Sequence, residues 1–161
     1  MNNPHHSANN RFQLSFMTPG DVPEVIQIEN KVQSHPWTVG IFRDCIRVGY
    51  TCWVCRENHN TIVGYLVQSI AAEEMHILNI CVHPDWQRRN LGTLLVQQAE
   101  DAGRQGNAKT SYLEVRPGNV AAIRLYQKLG YKKIGIRKNY YPTDNGREDA
   151  VVMSRCLVTP C

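Results

Sequence analysis

The sequence predicts a single mixed α/β domain, with a mostly antiparallel sheet of about seven strands flanked by about four helices. Three observations lead there. Segments in which apolar and polar residues alternate are interleaved with segments in which apolar residues recur every three or four positions. Gly, Pro and Asn cluster at the boundaries between them. The length, 161 residues, and the composition, 42% hydrophobic and 20% charged, suit one ordinary domain with its own core.

Taken in order, Arg11 to Phe16 alternates and reads as a first strand. Asp21 opens a helix carrying Val22, Val25, Ile26 and Ile28, with Pro23 in its first turn, where a missing amide proton costs little. Ser34-His35-Pro36-Trp37 breaks the chain. Thr38 then caps a second helix, and Trp37 and Phe42 occupy the two positions of a hydrophobic staple. Tyr50 to Arg56 and Thr61 to Ala71 are strands joined by the turn Glu57-Asn58-His59-Asn60, which makes a hairpin. His76 to Val82 is apolar on both faces except for Asn79, the pattern of a central strand covered on both sides.

A loop from Pro84 to Asn90 leads into an amphipathic helix marked by Leu91, Leu94, Leu95, Ala99 and Ala102, ending near Gly103 or Gly106. Thr110 to Val115 is a strand. Asn119 caps a last helix whose buried face is Ala122, Ile123, Tyr126 and Leu129, and Gly130 stops it. Tyr131 to Arg137 and Ala150 to Leu157 complete the sheet. Residues 1–10 read as a flexible tail, and residues 11–158 as the folded domain.

No apolar run approaches the length of a membrane span, and the first residues lack the pattern of a secretion signal. The net charge of +4 is mildly basic and suits an anionic ligand or a ribonucleoprotein partner. The six cysteines, Cys45, Cys52, Cys55, Cys81, Cys156 and Cys161, are expected to be reduced and mostly buried, in a cytoplasmic protein. Cys52 and Cys55 lie three apart on a strand, so they point to opposite faces. The histidines show no ligand spacing, and no metal is expected.

Ile77 to Ala102 carries the strongest site signal. A helix N-terminus exposes unpaired amide protons and positive partial charge. Here it follows a loop with Arg88 and Arg89, and Gly92 lies in its first turn. Those features describe either an anion cradle or an exposed basic loop. The P-loop ending Gly-Lys-Ser/Thr is absent, as is the Gly-x-Gly-x-x-Gly of dinucleotide folds, which argues against kinases and dehydrogenases.

Gln87-Arg88-Arg89-Asn90-Leu91-Gly92 resembles the acetyl-CoA pyrophosphate loop of the GNAT superfamily of N-acetyltransferases, Gln/Arg-x-x-Gly-x-Gly/Ala. Asn90 stands where that pattern usually has Gly. Asn tolerates the left-handed backbone better than other residues with a side chain. The match continues through Asn79 to Pro84, Leu113 to Arg116 and Asn119 to Tyr131. With Pro36-Trp37, Arg137 to Pro142 and Arg147 to Ala150, the chain resembles the ribosomal-protein-alanine N-acetyltransferases, the RimI branch, over about residues 12–155.

This resemblance implies a GNAT fold and direct acetyl transfer from acetyl-CoA to an amine in a ternary complex, without metal. It implies that the pantetheine arm bonds the backbone of Ile80, Cys81 and Val82. The pyrophosphate would meet the amides of Arg88, Arg89, Asn90, Leu91, Gly92 and Thr93, with Asn119 a further cofactor contact. It implies Glu114 as general base and Tyr126 as general acid. Trp37, Tyr140, Tyr141, Glu148 and Asp149 would flank the entry for a peptide N-terminus, the acceptor being the N-terminal alanine of a small-subunit ribosomal protein.

Read without the resemblance, Glu114 is better described as a surface carboxylate paired with Arg116, and Tyr126 as core. Cys81 is a buried, inert thiol rather than a nucleophile. Two other functions stay open at this point. One is acetylation of another amine, such as another protein N-terminus, a lysine or a small molecule. The other is a non-catalytic basic protein that binds RNA or ribosomes. No membrane contact and no direct nucleic-acid contact are expected of the enzyme.

Overall fold

The structure, a computed structural model, describes residues 11–161, so the tail expected over 1–10 lies outside the described residues. Seven strands and four α-helices follow in the expected order. They are β1 (Phe12–Phe16), α1 (Val22–Val32), α2 (Val39–Arg47), β2 (Thr51–Glu57), β3 (Thr61–Ala71), β4 (Glu74–Val82), α3 (Leu91–Gln105), β5 (Thr110–Val115), α4 (Val120–Lys128), β6 (Lys132–Thr143) and β7 (Gly146–Cys156). They form one sheet in the order β1-β2-β3-β4-β5-β7-β6. Only β4 and β5 pair in parallel.

Local chemistry accounts for the helix ends. Thr38 accepts a hydrogen bond from the Ile41 amide at 3.2 Å, and the Trp37 and Phe42 rings meet 5.3 Å apart, so the cap and staple over α2 are both present. Asn119 caps α4 through the Ala122 amide at 3.2 Å. Helix α3 runs past Gly103, which faces Met75, where a Cβ would come within 2.5 Å of the sulfur. It stops at Gly106 instead.

Both faces of the sheet are covered. On one, Leu91, Leu95, Val96 and Ala99 of α3 and Tyr126 of α4 pack on Trp53, Cys55, Leu66, Ile77, Leu113 and Val115. On the other, Val22, Val25 and Ile28 of α1 and Phe42 and Cys45 of α2 pack on Cys52, Val54, Tyr65, Val67 and Cys81. Cys52 and Cys55 therefore enter opposite cores, as their spacing requires.

Two expectations need correction. Strands β6 and β7 are longer than the sequence suggests. A bulge sets Lys138, Asn139 and Tyr140 against Asp149, after which pairing resumes at Tyr141 with Glu148 and continues to Thr143 with Gly146. The cysteines are not all reduced. Cys156 and Cys161 form a disulfide, because the chain turns back after β7 and brings their Cα atoms to 6.0 Å. The other four are free and buried. Among the described residues no helix is long and apolar enough to cross a membrane.

Candidate active site

The parallel pairing of β4 and β5 is short. It runs from Glu74 with Thr110 to Ile77 with Leu113, and no further. Beyond that pair Glu114 and Val115 pair only with Val152 and Val151 of β7, while β4 continues alone on that edge. A bulge at the point of parting contributes: Val67 opposes Asn79 and Gln68 opposes Ile77, leaving Leu78 as the extra residue. Ile80, Cys81 and Val82 pair with Leu66, Tyr65 and Gly64 on one side, and their other edge faces the fork. This is the kind of unpaired strand edge that accepts an extended ligand backbone. Burial pushes the Cys81 thiol up to about 12, so it is protonated and unreactive at neutral pH.

The loop after β4 ends at the start of α3. Arg88 and Asn90 both adopt the left-handed region, with φ of 63° and 62°. Asn90 occupies the N-cap position of α3 without a side-chain cap. The backbone amides of residues 88–93 donate to no other described residue. Successive unpaired amides at a helix start, with the helix dipole behind them, attract phosphate. Arg88 and Arg89 are exposed beside them. The Arg89 guanidinium lies 4.9 Å over the Trp86 ring, which Arg11 also approaches at 5.2 Å. Gly92 has a packing reason as well: a Cβ there would meet Leu125 of α4 at 3.0 Å. Asn119 is the N-cap of that same helix α4.

Glu114 lies just past the fork. Its side chain is only 4% exposed. Oε2 is 2.5 Å from Nε2 of His76 on β4. Oε1 is buried and accepts no hydrogen bond among the described residues, although Nε of Arg137 stands 3.3 Å away. Arg116 is not its partner. That guanidinium bonds Glu148 at 2.5 Å and the Pro142 carbonyl at 3.2 Å, and covers the Tyr141 ring at 4.4 Å. The pairing that would have made Glu114 an ordinary surface carboxylate is therefore absent among the described residues.

Tyr126 is 5% exposed on the buried face of α4, with its ring 5.8 Å from that of Tyr131. Burial, and then Tyr131, raises its phenol well above the ordinary range, so it stays protonated. Its hydroxyl makes no hydrogen bond to a described residue. Tyr141, also raised by burial, interacts electrostatically with both Glu114 and Tyr126.

The expected acceptor residues divide into three groups. Tyr140 and Tyr141 stand edge to face at 4.8 Å, set by the β6 bulge, and both interact electrostatically with Glu114. Glu148 and Asp149 are already engaged within the chain. Glu148 is paired to Arg116, and Asp149 accepts from the Asn139 amide at 2.9 Å and from Lys138 at 3.2 Å. Those partners hold the Asp149 carboxyl below its usual range. Asp149 secures the bulge rather than offering a bare charge to an amine. Trp37 is half-buried in the connection between α1 and α2. That connection meets the tip of the β6–β7 hairpin through His35 and Asp144 at 3.7 Å.

Three neighbours of this site were not singled out from the sequence. His76 and Arg137 flank Glu114. Glu29 of α1, 1% exposed, accepts from Tyr65 at 2.8 Å and from Asn79 at 2.9 Å. Burial raises its carboxyl despite those bonds. Glu29 had a visible signal, since it falls on the same helical stripe as Val22, Val25 and Ile28.

Comparison with known proteins agrees with this geometry. Residues 22–131 match the model of the acetyltransferase (GNAT) family. The chain is 34% identical over 141 residues to the [ribosomal protein bS18]-alanine N-acetyltransferase of Escherichia coli strain K12, covering 88% of this chain and 95% of that one. It is 33% identical to the protein of the same name in Haemophilus influenzae, covering 88% and 96%. The crystal structure of the ribosomal-protein-S18-alanine N-acetyltransferase from Escherichia coli superposes with a TM-score of 0.84 at 32% identity, covering 93% of this chain and 96% of that one. With a forked β4–β5 pair, an unpaired amide cradle and these relatives, the chain belongs to the GNAT family of acetyltransferases.

Proposed function

We propose that residues 11–158 form an acetyltransferase domain that transfers the acetyl group of acetyl-CoA to the N-terminal alanine of a small-subunit ribosomal protein, the bS18 type, in the cytoplasm. The observation that carries the reading is Glu114: an enclosed carboxylate beside the open β4 edge, with one oxygen held by His76 and the other without a hydrogen bond, 3.3 Å from the Arg137 guanidinium. The acceptor is suggested by the names of the relatives, which match this chain along nearly their whole length.

The residues fit the cosubstrate. The unpaired edge of Ile80, Cys81 and Val82 suits an extended amide-bearing arm. The amides of Arg88, Arg89, Asn90, Leu91, Gly92 and Thr93 suit a pyrophosphate, with the Asn119 cap adjoining. When bound, acetyl-CoA supplies an activated thioester. Glu114 takes the proton that keeps the acceptor amine from attacking. An α-amine, with an ordinary pKa near 8, needs less of a base than a lysine near 10.4, which suits a carboxylate. Tyr126, held protonated by burial, gives a proton to the departing sulfur. Transfer is direct, because the high pKa of Cys81 makes it a poor nucleophile.

Tyr140 and Tyr141, with Trp37 on the facing connection, line the entry for the peptide. Glu148 and Asp149 act there indirectly, by holding Arg116 and the bulge. The test is to incubate the protein with acetyl-CoA and a short peptide beginning Ala-Arg, alongside the same peptide with a blocked N-terminus. A mass gain of one acetyl group on the free terminus alone is expected. Gain on both, or on neither, would refute Nα-transfer.

A further inference from the structure

His76 leaves β4 one residue before the last β4–β5 pair, and the parallel register carries it to Glu114 rather than to its direct partner Tyr112. The two side chains differ in exposure, 27% for His76 against 4% for Glu114. A carboxylate can only accept, so a neutral imidazole at this distance must present its Nε2–H and keep Nδ1 as acceptor. One donor on Oε2 fixes the carboxylate plane. It also leaves Oε1 without a hydrogen bond, facing the side on which Arg137, Tyr140 and Tyr141 of β6 gather. A carboxylate free to rotate would share its two oxygens between those environments.

We infer that His76 is a positioning residue for Glu114: its Nε2–H holds Oε2 so that Oε1 is the oxygen presented to the acceptor amine. The inference rests on Glu114 being the general base. It goes further by assigning separate tasks to the two oxygens and by naming the group that separates them.

The experiment compares kcat, acetyl-CoA KM and melting temperature for His76→Leu, His76→Gln, Glu114→Gln and the double variant His76→Leu/Glu114→Gln. Leu removes the donor; Gln retains an N–H on a side chain of similar reach. Loss of positioning in an active site costs up to about 100-fold in rate. His76→Leu is accordingly expected to lower kcat roughly 10- to 100-fold with acetyl-CoA KM unchanged. His76→Gln recovers most of that loss. In the Glu114→Gln background, adding His76→Leu costs nothing further.

Unchanged kcat in a folded His76→Leu protein would overturn the inference. So would failure of His76→Gln to recover activity at an unchanged melting temperature, or a further tenfold loss in the double variant. The base reading fails by a different result: full activity in Glu114→Gln alone.

Discussion

Ile77 and Leu113 form the last pair between β4 and β5, and Glu114 and the open edge of β4 lie just beyond them. Past that pair β4 offers the open edge of Ile80 to Val82, and β5 turns its next residue, Glu114, toward His76. The fork is maintained by packing, since Ile77 and Leu113 belong to the core under α3 and α4. The bulge at Leu78 turns the far end of β4 away.

Tyr126→Phe separates chemistry from stability. The hydroxyl bonds no described residue, so removing it takes nothing from the fold. The melting temperature should stay essentially unchanged while kcat falls by about 100-fold, the scale of a lost proton donor. An equal fall in both, or no fall in kcat, would contradict the assignment.

Asn90 tests the cradle. Its φ of 62° suits Gly and is tolerated by Asn. Asn90→Gly should keep CoA affinity within a few-fold. Asn90→Val places a β-branched side chain in a conformation that costs it about 1–2 kcal/mol, enough to weaken CoA binding roughly tenfold if the loop relaxes. Titration calorimetry with CoA reads both. Equal affinities would show that the left-handed turn is not required.

Asp149→Ala removes the acceptor of the Asn139 amide and the partner of Lys138. The bulge that sets Tyr140 and Tyr141 should loosen. The peptide KM should rise severalfold while the acetyl-CoA KM stays constant. A change in the acetyl-CoA KM instead would place Asp149 elsewhere in the mechanism.

Glu29 gives stability a pH dependence. Burial raises its carboxyl in the folded chain. The stabilisation this represents is therefore complete below the unfolded value, near 4.3, and is lost as pH rises through the higher folded value. Each unit of elevation corresponds to about 1.4 kcal/mol. Denaturant unfolding should show Glu29→Gln gaining on the wild type between about pH 4.5 and neutrality. A difference that stays flat with pH would mean that the buried carboxyl is fully compensated by Tyr65 and Asn79.

Most of the fold was legible because it is written locally. The Thr38 cap, the Trp37–Phe42 staple and the opposite faces of Cys52 and Cys55 all follow from spacing within one segment. Glu114 and Tyr126 could be singled out only through resemblance. The illegible features depend on pairing between segments. The contact of His76 with Glu114 requires the parallel register. The continuation of β6 past Arg137 requires a bulge closed by Asp149, twelve residues away. The Cys156–Cys161 bridge requires the path of the chain after β7. The carboxylates of Glu148 and Asp149 looked available because Arg116, Lys138 and the Asn139 amide are distant in sequence.

In the proposed mechanism Glu114, beside the fork, removes the proton from the acceptor amine. Single-turnover acetyl transfer to the Ala-Arg peptide should be measured for the wild type and for Glu114→Gln, with CoA affinity determined on the same preparations. The account predicts a rate lower by about 100- to 10,000-fold in the variant, at unchanged CoA affinity. A variant that transfers acetyl at the wild-type rate would contradict it.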